Sequence, residues 1–147
     1  MATLLRILLF FGGLACAVIA SSILIKGAEA TAFQSEMLYD WAMRAPRSLS
    51  ETWPATMDNE LRFYAALLAA YGATLIWVSA TLEARLHWTP ILAGVFFLGG
   101  LGRAASIAGV GRPHPVFEAL MAIELILPVV VIACWLVVAL PKLRSPA

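Results

Sequence analysis

Two opposite charges stand where a chain this apolar rarely keeps any. Arg103 lies in one apolar run, seven residues before Val110, and Glu124 lies in the next, seven residues after Phe117. Charges in hydrocarbon are costly and persist where they are paired, wetted or used. Between the runs the chain reverses at Gly109-Val110-Gly111-Arg112-Pro113-His114-Pro115, a dense turn signal. Adjacent antiparallel helices would carry both charges at one level, roughly 10 Å below the surface. A charge-assisted pair is the simplest arrangement, and a two-pronged one suits Arg best. Such a pair either locks two helices together or lines a cavity and polarises a ligand. A third arrangement has Arg103 snorkelling to the interface without meeting Glu124.

Other polar groups fall in the same half of the apolar runs. Asn59, Glu60 and Arg62 open the second run, Ser106 lies one turn after Arg103, and His114 and Glu118 sit at the start of the fourth run. The opposite half holds Thr3, Thr74 and Ser79. The asymmetry predicts a polar vestibule at one end above an apolar floor. The chemistry available there is ionic and hydrogen-bonding rather than nucleophilic. No Ser/His/Asp or Cys/His set converges, because nothing orients His114 as a triad would. His87 and His114 fall on opposite faces and cannot share a metal within one chain, so no metal and no cofactor is expected. Gly100-Leu101-Gly102-Arg103-Ala104-Ala105 has the letters of a dinucleotide fingerprint, but no strand precedes it.

The elements that must position these groups are membrane-spanning helices. The chain has 147 residues, 62% of them hydrophobic and 13% charged. Soluble domains usually carry about 25% charge. The apolar residues form four runs at 4–25, 61–82, 91–110 and 117–140. Each is near the roughly 20 residues needed to cross the hydrocarbon, and only helices cross it with so little chain. The expected fold is all-α: one integral membrane domain, a four-helix bundle. Asp58 is a plausible N-cap for the second run, Pro90 opens the third at a first-turn position, and Pro141 closes the fourth. A cleaved signal peptide is the rival reading of the first run, with Ala28-Glu29-Ala30 as the cut site, but the run is longer than the usual apolar core. A net charge of +1 gives no electrostatic case for nucleic acid. Cys16 and Cys134 should differ in depth by roughly 9 Å, too far for a disulfide.

Small residues mark where helices can approach closely. Gly102 and Ser106 form a small-xxx-small pair, as do Gly12/Cys16/Ala20 and Ala66/Ala70/Thr74. The alternative is room for a flat or chain-like ligand beside Arg103, opened by a kink at Pro128. The loop 26–57 contains Phe33, Met37, Leu38 and Trp41 at helical spacing, opposite Gln34, Glu36 and Asp40. That predicts a short amphipathic helix at the membrane interface or capping the bundle, broken by Pro46, Trp53 and Pro54. It is either a fixed cover over helix ends or a mobile gate. Lys and Arg are nearly balanced between the two sides. The acids in the long loop tip the reading towards termini in the cytoplasm.

Four blocks of residues, in this order, resemble an uncharacterised bacterial membrane family, domain of unknown function 4345. They are Asp58-Asn59-Glu60-Leu61-Arg62-Phe63-Tyr64, then Gly99-Gly100-Leu101-Gly102-Arg103-Ala104-Ala105-Ser106, then Gly111-Arg112-Pro113, then Glu124-Leu125-Ile126-Leu127-Pro128. The resemblance implies a four-helix protein of the bacterial cytoplasmic membrane, with Asn59, Arg62, Arg103, Ser106, Arg112, Pro113, Glu124 and Pro128 on the motif positions. It implies no activity. The functional expectation is a non-enzymatic accessory subunit, or a module binding a lipid or apolar small molecule at Asn59, Arg62, Arg103, Ser106, Glu118 and Glu124. A larger membrane complex or homo-oligomer is a possible setting. The alternative is an intramembrane enzyme, an isomerase using Glu124 or Glu118 as acid/base. A proton or solute conduit ranks last, because no inverted repeat or pair of broken helices is present.

Overall fold

A computed structural model of the chain describes residues 1–44 and 55–144. Among them are six helices and no strand: α1 (Ala2–Lys26), α2 (Ala28–Met43), α3 (Ala55–Ala80), α4 (Leu82–Arg85), α5 (Trp88–Val110) and α6 (Pro115–Arg144). Helices α1, α3, α5 and α6 are long and apolar enough to cross a membrane. Large apolar side chains such as Phe11, Leu98 and Ile126 stand exposed on their outer faces, as lipid-facing surfaces require. The helix expected in the first loop is α2. Pro46, Trp53 and Pro54, expected to break it, lie outside the described residues.

The bundle is two antiparallel pairs. Helix α1 packs on α3 and α5 packs on α6. Glycine sets the closeness of each. A Cβ on Gly13 would fall 2.6 Å from the carbonyl oxygen of Gly72, and one on Gly72 would fall 2.7 Å from that of Gly13. In the second pair a Cβ on Gly100 would meet Leu125 at 2.8 Å. The sequence marks Gly100 among the close-packing glycines of the third run, with Gly94, Gly99, Gly102 and Gly109, but draws its small-xxx-small motifs through Gly12 and Gly102. A Cβ on either meets nothing within 4 Å, because each is turned about 100° or more from the residue that faces the partner helix.

The pairs join in the half that carries the N-terminus of α1 and the C-terminus of α6. Leu5, Leu9, Leu75, Val78, Leu82, Leu92, Ala93, Val131 and Cys134 form the buried core there. Polar clamps surround it. Arg6 donates to the carbonyls of Ser79 and Ala80 and pairs with Glu83, closing the C-terminal end of α3. Trp135 Nε1 donates to the Leu86 carbonyl at 2.9 Å, and Tyr71 donates to that of Leu92 at 2.8 Å.

Two boundaries differ from the sequence reading. Helix α3 starts six residues earlier than the apolar run, at Ala55, so Asp58 lies within its first turn rather than capping it. Its carboxylate is used elsewhere, as described below. Pro141 does not close α6, which continues to Arg144 and contains both Pro128 and Pro141. An internal proline removes one backbone donor and can leave the rest of the helix intact.

Candidate functional site

At the end of the bundle away from that core, helix termini meet a concentration of charge. Of four Arg–carboxylate ion pairs among the described residues, three are here, Arg62–Asp58, Arg103–Glu124 and Arg112–Glu118, together with a close His114–Asp40 contact. The candidate residues are therefore at one end, but they are divided among separate pairs.

Arg103 and Glu124 are direct partners. The Arg103 Nε donates to Glu124 Oε2 at 2.8 Å, across α5 and α6. The bond is single-pronged rather than the two-pronged one expected. Leu125 seats against Gly100 and a Cβ there would lie 3.1 Å from Glu124 Cβ. This close approach draws Glu124 alongside the guanidinium edge that bears Nε. Glu124 is 14% exposed and Arg103 is 39% exposed, so the rest of the guanidinium faces outward. Pro128 lies inside α6 and has no N–H, so the backbone carbonyl of Glu124, four residues earlier, loses its intrahelical donor. Glu124 thus pairs its side chain with Arg103 while its own carbonyl lacks the usual helical donor. The i, i+4 spacing of Glu124 and Pro128 was visible in the sequence and could have announced this.

Arg62 closes a different corner. It donates from Nε to Asp58 at 2.8 Å and from Nη1 to the Leu24 carbonyl at 2.7 Å. Asp58 also accepts the Ala28 N–H at 3.0 Å. The cation thereby meets the C-terminal end of α1 and the anion meets the N-terminal end of α2, each matching the helix dipole. Gly27 links them at φ +93°, with the Arg62 and Asp58 side chains against the space a Cβ would occupy. Asn59 is exposed, being turned about 100° from Asp58. Ser106 is exposed as well, about 60° around α5 from Arg103, so neither joins its neighbour's ion pair.

Arg112 and Glu118 form the two-pronged bond, both contacts at 2.8 Å, at the α5–α6 turn. That hydrogen bonding holds the Arg112 proton even more firmly than usual. Pro113 beside it is exposed and precedes the start of α6.

The pair that sequence reasoning missed is Asp40 with His114. Both side chains are buried, 6% and 4% exposed, with Nε2 3.1 Å from Asp40 Oδ1. Helix α2 turns its acids inward: its buried positions are Ala28, Ala32, Glu36 and Asp40. Phe33, Met37, Leu38 and Trp41 are exposed. The signal was a four-residue stripe of two alanines followed by two acids. Small residues allow close approach, so the acids that continue the stripe must face the bundle too.

A small cavity of about 30 Å³ lies deeper, lined by Leu9, Gly12, Cys16, Tyr71, Phe96 and Pro128 among others. It has room for a water or two by volume, but its lining is apolar. Among the described residues no group of three or more His, Cys, Asp and Glu is placed to hold a metal ion.

A family model described as "Domain of unknown function (DUF4345)" matches residues 4–136. No curated protein and no solved structure matches the chain.

Proposed function

The chain belongs to the DUF4345 family, and from that premise we propose that it is a multi-pass membrane protein that binds an acidic lipid or another apolar molecule with a polar head. The binding group is Arg103. The observation that carries this reading is that Arg103 gives only its Nε to Glu124 and keeps an outward-facing guanidinium edge within a helix otherwise fit for lipid. A guanidinium edge suits a phosphate or carboxylate head group. The freed Glu124 carbonyl adds an acceptor for a head-group hydroxyl. Glu124 orients the guanidinium through the hydrogen bond it accepts from Nε. The role proposed is non-enzymatic, either alone or as an accessory subunit, and among the described residues no nucleophile adjoins the pair. The setting is the bacterial cytoplasmic membrane, with both termini on the cytoplasmic side.

Native mass spectrometry of the detergent-extracted protein, with identification of co-purifying lipids, tests the proposal. Acidic lipid should be retained by the parent and lost in Arg103→Gln, with Glu124→Gln weakening retention less. Equal retention by a folded Arg103→Gln protein would overturn the assignment to Arg103. Turnover of an apolar substrate that Glu124→Gln abolishes would favour the enzymatic alternative.

A further inference from the structure

We infer that α3 and α5 part towards the charged end of the bundle, leaving a cleft open sideways to the bilayer, in which one acyl chain of an acidic lipid lies with its head group on Arg103. The cleft follows from the facing sides of α3 and α5; the occupant rests on the head-group reading above.

A helix returns to nearly the same face every seven residues, about 20° short of two turns. On α5, Arg103 comes seven residues after Phe96 and so shares its face. That face meets α3 lower down. The Phe96 and Tyr71 rings are stacked, with centroids 6.1 Å apart and planes 5° apart, and the Leu92 carbonyl accepts the Tyr71 hydroxyl at 2.8 Å. On α3 the matching line runs from Val78 and Leu75, both in the buried core, through Tyr71 to Tyr64, seven residues before it. The two helices are antiparallel. Tyr64 and Arg103 therefore stand at one level, each about 10 Å from the stacked rings towards the charged end.

Below the stack this seam is closed, and above it the same faces are open. Leu75 and Val78 are buried, whereas Tyr64 is 58% exposed and Leu67, between Tyr64 and Tyr71, is exposed as well. Arg103 is 39% exposed although it follows the line of Phe96. Contacts between α3 and α5 are slight beside those within each pair. The α1 and α6 side stays closer: Cys16 on α1 is buried and lies within range of the Glu124 charge on α6. The opening is thus between α3 and α5, facing the hydrocarbon.

The cleft has the polarity of an amphiphile. Arg103 and Glu124 mark its charged end. Tyr64 and Leu67 line α3, and Gly99 on α5, exposed, presents no side chain; a Cβ there would meet only Glu124 Oε2, at 3.9 Å. A soluble anion would use Arg103 and leave these apolar walls bare. A lipid meets both, with about 10 Å of chain lying between Arg103 and the stacked rings, which turn the remainder out into the bilayer. Lipid tails are as apolar as such walls, so the chain gains little by entering, and selection falls to the head group.

Photo-crosslinking tests the cleft. Benzoylphenylalanine replaces either Leu67, on the cleft wall, or Phe11, exposed on the outer face of α1. Each protein is irradiated in nanodiscs of equal phosphatidylglycerol and phosphatidylcholine, and the adducts are identified by mass spectrometry. At Leu67 phosphatidylglycerol adducts should exceed phosphatidylcholine adducts several-fold; at Phe11 the two should be equal. Arg103→Gln should bring Leu67 to the Phe11 ratio, and a folded Arg103→Gln protein that keeps the preference overturns the placement of the head group. The comparison of Leu67 with Phe11 needs no change at Arg103 and decides the cleft by itself. Equal ratios at the two positions, with Arg103-dependent retention of phosphatidylglycerol intact, overturn the cleft and leave the head-group reading standing. Loss of that retention as well overturns the head-group reading and the lipid occupant with it.

Discussion

Arg103→Ala leaves Glu124, only 14% exposed, as an anion without its guanidinium. The change should lower stability by roughly 1–3 kcal/mol, less than for a fully buried pair because Arg103 itself is 39% exposed. Thermal unfolding in detergent checks it. Arg103→Glu and Glu124→Arg should each destabilise, and the double exchange should recover about 1 kcal/mol or more of coupling. Stability that returns without lipid retention would separate the helix lock from the binding role. Arg112→Ala should leave the unfolding midpoint almost unmoved, since that guanidinium is 79% exposed and its pairing with Glu118 is screened by water. At this scale the sequence was informative where one local rule sufficed. Equal distance from a turn paired Arg103 with Glu124. It could not show that Arg62 would turn to the Leu24 carbonyl, because that depends on where α1 ends against α3. Nor could it separate Ser106 from Arg103, since residues three apart are neighbours along a helix yet about 60° apart around it.

Helix contacts turn on which of two adjacent glycines faces the partner. Gly13→Ala should destabilise by about 1–3 kcal/mol, because its Cβ would fall 2.6 Å from the Gly72 backbone, which cannot yield as a flexible side chain would. Gly12→Ala places its Cβ in open space beside the small cavity and should stabilise by roughly 0.5–1 kcal/mol through helix propensity. Opposite signs in the two unfolding midpoints would establish the facing residue; the same sign would refute this packing. Four spans were legible from apolar runs alone, since length against hydrocarbon thickness is a strong constraint. Helix ends were less so. The start of α3 extends into polar sequence because Asp58 and Arg62 serve the α1–α2 corner, a use that hydropathy does not register. The orientation of α2 was also hidden. Its amphipathic pattern gives two faces but not which one is inward. A soluble protein would bury Phe33 and Met37, whereas at a lipid boundary the acids go in and those residues stay out.

Among the described residues, apolar burial is concentrated at one end and three of the four Arg–carboxylate pairs at the other. Backbone hydrogen exchange should be slowest around Leu75, Val78, Val131 and Cys134, within the core shared by all four long helices. It should be faster in α2 and in the first turns of α6. Equal protection at both ends would contradict this division. The corner at Gly27 also bears on how the chain is made. The Leu24 carbonyl receives its cation from a residue 38 positions later. During synthesis, at about 5–20 residues per second, α1 and α2 must therefore emerge several seconds before their junction can close. For that interval the end of the first span has water or lipid head groups as its partners. The entry of α3 then completes both helix termini at once, making the arrival of the second span the event that fixes the direction of the first bend.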